Sequence, residues 1–170
     1  RVELTATPHM GIQQYTFQKA SDSACVILDL HRAMNWDQTT GSDIEQMSEI
    51  FLQGYRKSTG WARDQEVYFS THLSRQPDSI FIQRISEHQA GKSPKQTVIA
   101  YLYYKVKAGD KLVIETALSG TSVEGALANW SDETKEFDFS KYRERAEERW
   151  NERLGRITLP SDVADSLRTT

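Results

Sequence analysis

Five carboxylates, Asp29, Asp37, Asp43, Asp64 and Glu66, fall in or near the ends of segments that read as strands. Two carboxyl groups flanking a scissile bond can serve as general acid and base, the arrangement that hydrolyses glycosides. No spacing among these five marks such a pair, so no catalytic residue is assigned. Ser122 stands in GTSVEG (120–125), close to the G-x-S-x-G turn that exposes a nucleophilic hydroxyl, but the second glycine comes one residue late. A helix cap accounts for Ser122 instead. His9, His31, His72 and His88 never fall at the spacing with which one helix or hairpin grips a metal. DQTTGSD (37–43) lacks the acidic ladder and distal Glu of a calcium loop and reads as a polar turn. No metal ligand is assigned, and nucleotide chemistry has no Gly-rich phosphate loop to support it.

The remaining candidates are softer. Cys25, the single cysteine, lies between Ala24 and Val26 and is read as a buried thiol acting as a small hydrophobe. Asn129-Trp130-Ser131 matches a glycosylation sequon, which matters only in a eukaryotic secretory setting. Trp36, Tyr55, Trp61 and Trp130 look exposed at turns; aromatic faces stack on sugar rings, yet cores and sheet faces use them as well. For each one singly the structural role is the reading adopted, and no substrate-binding residue is assigned.

The elements that must position these side chains are mostly extended. VELTAT (2–7) alternates apolar and polar residues, GIQQYTF (11–17) follows a Pro8–Gly11 turn, and SDS marks the next turn. SACVILDLH (23–31) is apolar enough for a central strand buried on both faces. IEQMSEIFLQGYRK (44–57), EVYFSTHL (66–73), SIFIQRI (79–85), QTVIAYLYYKV (96–106) and KLVIETALSG (111–120) also read as strands. Such spacing describes a sandwich of antiparallel sheets. After Gly120 the period changes: VEGALANW is a short helix capped by Ser122, and a longer one starts at Asp138 or Ser140. Tyr142, Ala146, Trp150 and Leu154 recur every four residues on it, a stripe expected to pack on its own domain. LPSDV (159–163) looks like a boundary.

With 170 residues the chain suits one domain with a real core, and a net charge of −3 gives no broad attraction to phosphate backbones. A nucleic-acid partner is not expected. No apolar run reaches the ~20 residues that cross a bilayer as a helix. The opening inside a strand and the close at SLRTT lead to the expectation of a piece of a longer polypeptide.

Five blocks in order, VELTAT…YTF, VILDLHR, GYRKSTGWARDQEVYF, SVEGALANW and the FDF…WNERL helix, resemble the N-terminal part of family 92 glycoside hydrolases. These are calcium-dependent, exo-acting α-mannosidases, and the similarity spans residues 1 to 159. The resemblance implies a galactose-mutarotase-like super-sandwich over 1–120 with its N-terminal strands missing. It implies a helical linker over 121–170 leading to an absent (α/α)6 catalytic barrel. The acid, the base carboxylates and most calcium ligands of the family lie in that barrel, so none is carried onto this sequence. AMNWDQTT replaces a more usual charged run after HR, and the 86–95 loop varies within the family. The implied partners are the missing barrel and a mannose-containing glycan, in the periplasm, at the outer surface or secreted from a bacterium. Gly54 and Gly60-Trp61 are expected to shape a strand connection. Whether Trp61, Arg63 and Asp64 face the barrel or a glycan is open at this stage.

Overall fold

The computed structural model describes residues 1–33, 36–87, 95–134 and 137–156. His88 and the LPSDV segment lie outside them. The described strands are β1 (Val2–Ala6), β2 (Met10–Thr16), β3 (Ser21–Asp29), β4 (Gln38–Ser48), β5 (Phe51–Thr59), β6 (Gln65–Leu73), β7 (Ser79–Glu87), β8 (Lys95–Val106) and β9 (Lys111–Ser119). Helices α1 (Val123–Glu133) and α2 (Phe139–Leu154) follow. All strand pairs are antiparallel, in a six-stranded sheet of order β1-β2-β9-β6-β5-β4 and a three-stranded sheet of order β3-β8-β7. The expected mainly-β sandwich is the architecture found.

Period-two alternation decides which core each residue joins. On β9, Leu112 and Ile114 meet Val98, Ala100, Leu102 and Tyr104 of β8 between the sheets. Val113 and Ala117 point the other way, joining Met10, Ile12, Phe139 and Tyr142 beneath the helices. The molecule thus has three layers: small sheet, large sheet, helices. Polar stitches join the sheets along one margin. The Ser42 hydroxyl donates to the Leu30 carbonyl (3.2 Å) and accepts from the Val98 amide (3.1 Å). Arg84 reaches from β7 to Asp43 (3.1 Å) and to the Ile44 carbonyl (3.3 Å) on β4.

Five sequence expectations need correction. Residues 44–57 are two strands, because Glu49 and Ile50 form a tight turn that carries neither Gly nor Pro. DQTTGSD is no turn: its last six residues begin β4, and Thr39 and Ser42 are buried there with hydrogen-bond partners. The 23–31 segment is an edge strand, not a central one, since β8 takes the middle of the small sheet and only Val26 of β3 is buried. The SDS turn is its first residues, with a bulge between Ser21 and Ala24. Cys25 is exposed, not buried, because inward-facing Val26 turns its neighbours Cys25 and Ile27 to the outer face.

The first helix forms as its cap predicts. Ser122 is extended, and its Oγ accepts from the Gly125 amide at 3.0 Å. Ser122→Ala is expected to lower stability by about 1 kcal/mol, read as a shift in the urea midpoint at constant slope. Ser122→Asp should retain most of it.

Candidate functional site

One buried carboxylate on the sheet gathers polar groups from both helices and the segment between them. Glu115 is 0% exposed on β9, and its oxygens accept from Trp130 Nε1, the Thr134 hydroxyl and the Tyr142 hydroxyl, each at 2.8 Å. Directly across on β6 lies His72, 7% exposed. Its ring is stacked between Trp130 (centroids 3.5 Å) and Phe51 (4.4 Å), with Nε2 2.8 Å from the Ser70 hydroxyl. Trp130 is therefore a packing residue of α1 and not an exposed turn aromatic. Asn129 Nδ2 of the sequon already donates to the Leu118 carbonyl at 2.8 Å.

Burial pushes the His72 imidazole down from 6.5 to about 4. The unfolded chain takes up this proton near pH 6.5 and the folded one only near 4, so the unfolded state binds more protons between those values. The contribution is fully present above 6.5 and is lost as pH falls towards 4. Stability is expected to fall by about 3 kcal/mol across that window. Urea titrations of wild type and His72→Phe, the latter lacking this slope, check the assignment.

Two surface features remain. The first is the loop 60–64 between β5 and β6. Gly60 lets the chain pass close there: a Cβ would lie 3.0 Å from Asp37 Oδ1 and 3.1 Å from the Trp36 ring, so those side chains would have to give by a few tenths of an ångström. Trp61 is 91% exposed and meets Trp36 at 6.2 Å between centroids, tilted by 47°. Below the pair, Arg56 donates to Asp37 Oδ2 (2.9 Å) and to Thr39 (2.8 Å). Asp37 Oδ1 is buried with no hydrogen-bond partner among the described residues. Arg63 and Asp64 are exposed on the same loop. Tyr55 is half-buried on β5 beside Tyr68 (6.4 Å). Lys57 and Glu66 pair across the strands at 2.5 Å. Hydrogen bonds from Lys57 and then Tyr68 hold the Glu66 carboxyl below its usual range.

The second feature is the far half of α2. Asp138, not Ser140, caps it, accepting from the Ser140 amide at 3.0 Å. Phe139 and Tyr142 are buried, but the stripe expected to pack along its whole length does not: Trp150 is 67% exposed, and Leu154 is exposed too. The physical reason is the sheet edge. The helix crosses β2 and β1, the outermost strand, and then runs out of sheet to cover. Between α2 and the β1–β2 turn lies a groove of about 630 Å³, lined by Pro8, Tyr142, Arg145, Arg149, Trp150 and Arg153, among others. At one wall Glu133 bonds Thr7 and pairs with His9 Nδ1 at 2.6 Å. Burial pushes this carboxyl up, but the bonds from Thr7 and His9 outweigh it and hold it below the usual range.

The other sequence candidates stay apart. Asp29 Oδ1 accepts from the His31 and Arg32 amides, both at 3.0 Å, and Asp43 is held by Arg84. His31 Nδ1 lies 2.8 Å from Thr97 Oγ1. Among the described residues no three His, Cys, Asp or Glu gather as metal ligands. The sequence reading passed over Glu115, although an acid between Val113 and Ala117 on one strand face is a signal that could have found it.

The profile described as "Glycosyl hydrolase family 92 N-terminal domain" matches residues 1–119. No curated protein matches. Among solved structures, a family GH92 α-mannosidase from Bacteroides thetaiotaomicron superposes with a TM-score of 0.82 at 24% identity, over 95% of this chain and 22% of that one. A family GH92 glycosyl hydrolase gives 0.75 at 19% identity, over 96% and 22%. A family GH92 inverting mannosidase from Bacteroides thetaiotaomicron gives 0.72 at 24% identity, over 94% and 21%. The chain spans about a fifth of the length of these solved structures. With the N-terminal-domain profile running through every strand from β1 to β9, the chain belongs to glycosyl hydrolase family 92.

Proposed function

We propose that this chain is the non-catalytic sandwich domain of an α-mannosidase that cleaves α-mannosidic bonds in glycans. The observation that carries the reading is the match of residues 1–119 to the family's N-terminal domain, in a chain covering 22% of an α-mannosidase. The domain walls one side of the active centre and buries an apolar face of the catalytic portion. Catalysis on that portion is inverting: one carboxylic acid protonates the leaving oxygen while a carboxylate activates water on the opposite face. The name of one neighbour, an inverting mannosidase, supports this stereochemistry.

Calcium does not fit the described residues of this domain. Asp29, Asp37, Asp43 and Glu66 are each committed to a neighbouring cation or amide, and none converges with the others. In the parent enzyme the ion belongs with the catalytic portion, where degradation of N-glycans would use it. A periplasmic, outer-surface or secreted setting in a bacterium is part of the same reading.

The test is hydrolysis of an aryl α-mannoside, with the anomer released followed by proton NMR. The whole polypeptide should turn over with inversion and this chain should not. Turnover by this chain alone would overturn the assignment. A second reading, a carbohydrate-binding module, is favoured by the Trp36–Trp61 pair. Calorimetric titration with α-mannosides separates the two: saturable binding by this chain, abolished in Trp61→Ala, supports the module.

A further inference from the structure

Arg145, Arg149 and Arg153 repeat every four residues on α2, so their guanidinium groups rise along one side of the groove. At 100° per residue they fall within a sector of about 80° that also holds Tyr142 and contains none of the helix's glutamates. All three are exposed, and none makes an ion pair or hydrogen bond with a described residue. Arg143, one step round the helix, does pair with Glu147. Three like charges in adjacent turns repel one another by a few tenths of a kcal/mol per pair. They stand in a chain whose net charge is −3. Alongside them the apolar flank is open: Trp150 on the helix and Leu4, 72% exposed on β1, line one side of the same crossing, and Leu154 is exposed one turn further along the helix.

From this we infer that the arginine face of α2 is a docking surface for an acidic, partly apolar protein surface carried by the family polypeptide outside this domain. That surface would present two or three carboxylates spaced about one helical turn apart, each accepting from one guanidinium. A protein is the occupant because the exposed Trp150, Leu154 and Leu4 need an apolar counterpart that a hydroxylated or phosphate-rich polymer does not offer. It is the same polypeptide because the solved relatives carry nearly four-fifths of their length beyond the part this chain covers. The inference rests on the proposed reading of the chain as one domain of a larger mannosidase, and it adds which face docks and through what chemistry. Burying a guanidinium against a carboxylate fixes orientation more than it adds affinity, so the arginines would set the angle at which the two parts meet.

Hydrogen–deuterium exchange on the whole polypeptide tests this. Amides of residues 145–154 should exchange at least about tenfold faster in Arg145→Glu/Arg149→Glu/Arg153→Glu than in wild type. Raising salt from about 0.05 M to about 0.5 M should move wild type in the same direction. The triple Lys variant should keep most of the protection. Amides of β8 report folding; if the triple Glu variant loses them, Arg149→Glu alone should still speed the helix about threefold. Unchanged exchange in a folded charge-reversed variant overturns the inference. So does protection that rises with protein concentration, which marks a second copy, or that appears only with added heparin, which marks a polyanion site. A whole polypeptide that protects α2 but hydrolyses no α-mannoside overturns the proposed function and leaves the docking face standing. Hydrolysis with α2 unprotected does the reverse.

Discussion

Glu115→Ala is expected to lower the unfolding free energy by about 4 kcal/mol, with the loss showing first in the helices. The carboxylate is fully buried and receives hydrogen bonds from Trp130, Thr134 and Tyr142. Truncation takes the acceptor from three donors: the Thr134 and Tyr142 hydroxyls, 3.0 Å apart, can still bond one another, but Trp130 Nε1 is left unpaired, and a buried unsatisfied group costs about 1–3 kcal/mol. Hydrogen bonds to a charged acceptor are also the stronger kind, about 1.5–3 kcal/mol each. Glu115→Gln keeps the shape and one acceptor oxygen, and either hydroxyl can turn to accept from the new amide. It should cost about half as much. Urea unfolding followed in parallel by Trp fluorescence and far-UV circular dichroism checks both. In the alanine variant the fluorescence change, dominated locally by Trp130 leaving His72, should precede loss of the sheet signal. Coincident transitions with a shift under about 1 kcal/mol would show that Glu115 is not what holds the helices.

Gly54→Val is the second large effect, expected to cost about 3 kcal/mol, the upper end of the range for overpacked sites. Gly54 lies inside β5, where a Cβ would stand 2.1 Å from the Asp43 carbonyl oxygen and 2.9 Å from Phe69 Cζ. The aromatic ring could swing away. The carbonyl cannot, because it belongs to β4, which is laddered to β5 along its length. The valine can be accommodated only by parting the two strands. Gly11→Ala on β2 is the control: its Cβ would meet nothing within 4 Å, and its effect should stay within about 0.5 kcal/mol. Thermal midpoints of the two variants, measured side by side, separate lost room from a general intolerance of β-branched or larger residues in glycine positions.

These two residues also show how far the sequence could be read. Hydrophobic alternation announces β8 and β9, because those strands bury apolar side chains and the period survives in the letters; on β1 the alternation is read correctly as a strand, but its apolar face is the exposed one, with Val2 at 56% and Leu4 at 72%. The opening of β4 is invisible to the same test. Thr39 and Ser42 are interior yet polar, and what makes them admissible is a partner distant in sequence: Arg56 for one, Leu30 and Val98 for the other. The β4–β5 turn escapes for a different reason, since Glu49-Ile50 offers no Gly, Pro, Asn or Asp. For β3, apolar content was misleading because an edge strand of a small sheet turns Cys25 and Ile27 outward. The exposed Trp61 was anticipated, and Gly60 does shape its loop. On α2 the separation of the arginines from the glutamates is legible in the spacing, but that they have no ion-pair or hydrogen-bond partner among the described residues needs coordinates.

The polar stitches of Ser42 and Arg84 fasten the two sheets like the spine of a book, with β4 as the binding. Pages held on one border part from the opposite one. The margin formed by β1 and β2 should therefore breathe soonest and by the widest angle, and whatever is pressed against that fore-edge gains the power to keep the volume shut.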